Sequence, residues 1–152
     1  MRKQVDKVLA YAVIFLMAAM VINVLWQVTS RYVFGAPSLF TDELANFQLI
    51  WVGLLGAAYA TGQGAHLAID LLPNKLVGRK KRNLTILINL LVIVFAATVM
   101  IIGGIRLVYI TLSLDQLSAT LQVPLGYVYL VLPLSGAFIV YYALTNILTP
   151  TQ

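Results

Sequence analysis

Four long runs of this 152-residue chain carry no Asp, Glu, Lys or Arg: residues 8–30, 44–69, 83–105 and 116–152. Each exceeds the roughly 20 residues that an α-helix needs to cross a hydrocarbon core of ~30 Å at ~1.5 Å per residue. The pattern predicts an all-α membrane protein: one four-helix domain over residues 1–152, with spans at about 8–29, 43–64, 83–105 and 124–148. Fewer than fifty residues remain outside the runs, which excludes a soluble enzyme with a water-facing domain of its own.

The connecting segments have their own patterns. Arg31 to Phe40 is too short to span, is interrupted by Gly35 and Pro37, and has aromatics suited to the interfacial belt, so it reads as a re-entrant or surface loop. Thr41 followed by Asp42 and Glu43 reads as an N-cap with two acids in the first turn, a helix start that also offers partners to Arg31. Helix three is expected to stop at Gly103-Gly104-Ile105-Arg106. Leu117 to Val123 alternates apolar and polar residues, the pattern of an extended segment. Pro124 suits the first position of helix four, and Pro133 is expected to kink that helix by removing the bond to the Tyr129 carbonyl.

Polar and small positions inside the spans predict packing. Asn23 and Gln27 lie one turn apart near one end of helix one, where amides bond a neighbouring helix for about 0.6–2 kcal/mol; lining a substrate path is the alternative. In helix two, Gly53, Gly56, Ala57, Ala60, Thr61 and Gly64 recur at four-residue spacing, which lets helix backbones approach closely in lipid and predicts the best-packed helix. Trp51 reads as a packing or interface aromatic. His66 and Asp70, four apart, would share a helical face, but two ligands make no metal site and a polar helix end accounts for both. Pro73 and Gly78 close the turn that follows.

Charge sets the expected orientation. Arg2, Lys3 and Lys7 precede span one, and Lys75, Arg79, Lys80, Lys81 and Arg82 lie between spans two and three; Arg31 and Arg106 alone hold the alternate segments. The positive-inside rule then puts both termini in the cytoplasm. Span one is too long for a signal-peptide h-region of about 7–15 residues and reads as an uncleaved helix. The Arg79–Arg82 run reads as a topology anchor against anionic lipid rather than a nucleic-acid patch. Composition agrees: 61% hydrophobic and 10% charged, against roughly 45–50% and about 25% in soluble domains. With no cysteine and one histidine, disulfides, thiolate metal sites and a haem held by two histidines are excluded. No span interior holds an acid that could couple transport, so no catalytic, substrate-binding, metal or cofactor residue is named.

Gln27-Val-Thr-Ser-Arg31-Tyr32-Val33-Phe34, Pro37, Asp42-Glu43-Leu-Ala45, Trp51, Gly56-Ala57-Ala58-Tyr59-Ala60, His66 and Asp70, with Pro124, Tyr129, Pro133 and Gly136 further on, resemble the small membrane subunit of tripartite ATP-independent periplasmic (TRAP) transporters. The resemblance covers roughly residues 8–145; Phe40 stands where that family commonly has Trp. It implies a sodium-coupled importer of organic anions, such as sialic acids or C4-dicarboxylates, in a bacterial inner membrane. Sodium and substrate would bind a large membrane subunit, with which this chain forms a heterodimer, and a periplasmic binding protein would deliver the substrate. This chain would brace the large subunit as a scaffold, with Arg31, Asp42, Glu43, Trp51, Gly53, Gly56, Ala60, His66 and Asp70 as interface candidates. The competing class is a homo-oligomeric channel or exporter with Asn23, Gln27 and Asn89 lining its path.

Overall fold

The computed structural model describes residues 2–35, 38–63 and 79–148. In chain order these form α1 (Arg2–Val33), α2 (Leu39–Gly62), α3 (Arg79–Phe95), a π-helical segment (Ala96–Gly103), α4 (Gly104–Ser113), α5 (Leu125–Tyr129) and α6 (Val131–Leu148). Four rods are long and apolar enough to cross a membrane: Arg2–Val33, Leu39–Gly62, Arg82–Ser113 and Leu125–Leu148. The chain is a multi-pass, all-α membrane protein. The 32-residue rods are about 48 Å long at ~1.5 Å per residue, so they tilt or stand out of a ~30 Å core.

Helix α1 packs on α2, α2 on α6, and α6 on α3 and the π segment, while α5 leans on α4. The core runs along this row through Leu9, Leu55, Ala58, Ala96, Met100, Val131, Ile139 and Tyr142. The expectation that helix two is the best packed does not hold. In the last span 39% of the most apolar window is buried, against 17% in α2 and 11% in α1, because α6 has neighbours on two sides while α1 closes the row.

Several boundaries differ from expectation, each for a visible reason. Helix three does not stop at Gly103-Gly104 but continues to Ser113. Both glycines hold right-handed helical angles, and Gly104 is there for contact: a Cβ on it would sit 2.9 Å from Pro133 Cδ and 3.1 Å from Leu132 Cβ. Arg31 is helical too, in the last turn of α1, and the chain then reverses at Gly35, whose φ of +65° suits glycine. The N-cap of α2 is Ser38 rather than Thr41: the Ser38 hydroxyl accepts the Thr41 N–H, and the buried Thr41 hydroxyl donates to the Ser38 carbonyl at 2.9 Å. Pro124 is the N-cap of α5, one position earlier than expected, with an extended ψ of 120°.

The expected disruption by Pro133 is present. The last span breaks at Leu130, between α5 and α6, where Pro133 has no N–H for the Tyr129 carbonyl. Residues 114–124 fold back on themselves instead of running extended. Ser118 N–H donates to the Val123 carbonyl at 2.9 Å, Leu117 bridges Pro124, and Asp115 and Gln122 take left-handed angles at the two bends.

Candidate partner-binding surface

Two polar clasps hold the two ends of the row. At one end α1 begins, α2 finishes and α6 finishes. There the Arg2 guanidinium donates to the Gly62 carbonyl at 2.6 Å, satisfying an acceptor left open by the end of α2. The Tyr142 hydroxyl donates to Asp6 Oδ1 at 2.6 Å, and Asn146 Nδ2 donates to the Thr61 carbonyl at 3.4 Å. No sequence signal points to this cluster: Asp6 and Tyr142 lie 136 positions apart. His66 and Asp70, like Gly64, Pro73 and Gly78, fall outside the described residues.

At the opposite end the two amides of α1 reach α2, as the spacing predicts. Asn23 Nδ2 donates to the Thr41 carbonyl at 2.9 Å and to Gln48 Oε1 at 3.3 Å; Gln27 Nε2 donates to Asp42 Oδ1 at 3.0 Å. Glu43 does something the sequence does not announce. Its carboxylate accepts three consecutive backbone N–H groups of the 114–124 loop, from Ala119 at 3.0 Å, Thr120 at 2.9 Å and Leu121 at 2.7 Å. Successive amides turned one way make an anion-binding concavity, and here the anion is a side chain from 76 to 78 positions earlier. Both acids are therefore engaged within the chain rather than with Arg31, which is exposed beside Tyr32 and Phe34.

The clasp at Glu43 has a measurable signature. In Glu43→Ala the amides of Ala119, Thr120 and Leu121 lose their acceptor, and hydrogen exchange there rises toward that of an unstructured loop while the buried Val108 stays protected. Unchanged exchange at all three would show that the loop is held by its own turn bonds.

The small-residue face of α2 is open. Ideal Cβ atoms on Gly53 and Gly56 meet nothing within 4 Å, and Gly53 and Ala57 are exposed, whereas Trp51 packs against the core. Ala57 and Ala60 border a crevice of about 480 Å³ whose far wall is Leu91, Val92 and Phe95 of α3. Gly56→Leu is consequently expected to leave the melting temperature of the isolated chain within about 2 °C of wild type, a shift below ~0.5 kcal/mol. A larger loss in a detergent melt would mean that this face packs within the chain.

A second, larger groove of about 630 Å³ runs between α1 and α2. Among the described residues no cluster of three or more His, Asp or Glu could hold a metal ion. The three amides proposed as a path lining are not brought together: Asn23 and Gln27 turn to α2, while the buried Asn89 donates to Thr85 of its own helix at 2.8 Å. Among the described residues these polar side chains thus pair within the chain, and the open surfaces are the apolar groove and the crevice.

Residues 20–152 match the family model of the DctQ component of tripartite ATP-independent periplasmic transporters. The chain belongs to that family. DctQ-type chains are transporter membrane subunits, and among the relatives of this one is the sialic acid TRAP transporter small permease protein SiaQ of Vibrio cholerae, 26% identical over 68% of this chain and 60% of SiaQ. A putative TRAP transporter small permease protein of Haemophilus influenzae is 33% identical over 47% of this chain and 45% of its own length. The isethionate TRAP transporter permease protein DctMQ of Oleidesulfovibrio alaskensis is 28% identical over 78% of this chain, but the match is only 20% of that much longer protein. This DctQ-type chain thus spans three-fifths or less of the length of these relatives.

Proposed function

We propose that this DctQ-type subunit pairs one-to-one with a large TRAP permease subunit and serves as the fixed scaffold against which the transport domain of that partner moves. The carrying observation is the combination of family membership with a row of helices closed by its own clasps and open along its apolar sides. A relative in which the matched segment is a fifth of a longer permease chain, DctMQ, supports the pairing, since both parts there share one polypeptide. The spans hold no acid in their interior, which supports assigning sodium coupling and substrate binding to the partner. A sialic acid or C4-dicarboxylate type of organic anion is the substrate class, delivered by a periplasmic binding protein. The setting is a bacterial inner membrane, with both ends of the chain in the cytoplasm and the Glu43 clasp on the periplasmic side.

The test is reconstitution. Proteoliposomes holding this chain, the large permease and the binding protein are expected to accumulate the anion under an inward sodium gradient, and omission of this chain to abolish uptake. Flux from this chain alone would overturn the scaffold reading in favour of a homo-oligomeric channel.

A further inference from the structure

The groove between α1 and α2 combines apolar walls with a polar floor. Its rims are Phe15, Ile22 and Trp26 from α1 and Phe40 and Leu44 from α2, and four of these five are more than half exposed. Its floor includes Asn23 and Gln48. Asn23 is only 8% exposed, and both hydrogens of its amide are engaged, one on the Thr41 carbonyl and one on Gln48 Oε1. Among the described residues nothing donates to Asn23 Oδ1, and nothing accepts from Gln48 Nε2. A buried acceptor and a neighbouring donor are left open within an apolar groove.

An unsatisfied polar group in hydrocarbon costs several kcal/mol, and an acyl chain offers no hydrogen to Asn23 and no acceptor to Gln48. A protein helix bearing Ser, Thr, Asn or Gln supplies both from one side chain. The rims follow helical spacing on both sides, so the groove takes the ridge of a third helix crossing the pair. α1 closes the row, packing along α2 and meeting α6 only near its own start at the Asp6–Tyr142 hydrogen bond, which leaves this side uncovered among the described residues.

We infer that the α1/α2 groove seats a transmembrane helix of the large permease, with a hydroxyl or amide side chain of that helix hydrogen-bonded to Asn23 Oδ1 and Gln48 Nε2. The inference rests on the pairing proposed above and identifies the face that makes it. The groove takes the partner in preference to the crevice beside α3, whose lining is apolar apart from Thr61, and the Thr61 hydroxyl already donates to the Ala57 carbonyl.

The experiment uses the co-expressed complex. A photo-crosslinking amino acid replaces Ile22 in the groove or, as control, Leu90 on the exposed side of α3, and a separate Ala18→Trp variant fills the groove without touching its hydrogen bonds. Expected are an adduct with the large permease from position 22 and none from position 90. Ala18→Trp is expected to weaken co-purification about tenfold, while its own melting stays as in wild type. Adducts from position 22 with lipid alone or with a second copy of this chain, in a complex that still co-purifies, would overturn the groove and leave the pairing standing. Failure of the wild-type chain to co-purify with the large permease would overturn both.

Discussion

Tyr142→Ala is expected to lower the unfolding free energy of the detergent-solubilised chain by about 3 kcal/mol, the largest effect of any single truncation at this site. Tyr142 is fully buried, and its ring covers Gly62 so closely that a Cβ there would lie 2.7 Å from it. Its edge meets the ring of Tyr141, with centroids 5.5 Å apart, and its hydroxyl ties α6 to Asp6 of α1. Because lipid or detergent surrounds both the packed and the separated helices, little of the loss is hydrophobic transfer; it is lost dispersion contact and a lost hydrogen bond. Tyr142→Phe separates the two, keeping the ring and giving up only the hydroxyl for about 1 kcal/mol. Denaturant titration of both variants measures the split. A Tyr142→Ala chain within about 0.5 kcal/mol of wild type would mean that this end of the row is held by other contacts.

Glycine substitutions are expected to divide by position. Gly136→Ala places a Cβ 2.8 Å from Met100 Cβ and 3.1 Å from Ile101 Cγ1, and Gly104→Ala places one 2.9 Å from Pro133 Cδ. A Cβ atom and a proline ring cannot swing aside as a long side chain can, so the π segment and α6 must separate. Overpacking of this kind costs about 1–3 kcal/mol. Gly53→Ala and Gly56→Ala meet open space and exchange glycine for a better helix former, so they leave stability unchanged or raise it by at most ~1 kcal/mol. Melting curves of the four single variants check the division. Equal losses at all four positions would show that helix propensity, not contact, sets the effect.

The same contrast explains what was legible in the sequence. The four spans are visible because charge is absent over whole membrane thicknesses, and the Asn23/Gln27 pair is visible because its spacing puts both amides on one face. The break at Leu130 follows from Pro133, whose missing donor acts within one turn. The stop expected at Gly103-Gly104 fails because a glycine pair ends a helix and admits a neighbouring helix equally well. Only the position of Pro133, about thirty residues later, decides between the two. The cap of α2 shifts from Thr41 to Ser38 because both residue types cap well, and the choice depends on where the chain leaves the turn at Gly35. Asp6 and the Asp42-Glu43 pair are visible as acids, but the partners of Asp6 and Glu43 lie 76 or more positions away and carry no local mark. An Ala-Thr-Leu run says nothing of three amides turned to one carboxylate.

The π segment makes the length of helix three a constraint in its own right. Eight residues, Ala96–Gly103, are wound more loosely than the α-helix on either side. Deleting one residue among them without a compensating change of winding would rotate everything beyond it by about 100°. Gly104 would turn away from Pro133, and Met100 would leave the hollow at Gly136, with no side chain changed outside the deletion. Natural length variation in DctQ-type chains is therefore expected to avoid this stretch and to collect in the connections between helices, so that an alignment gap within it would mark a subunit whose third and fourth spans cross differently.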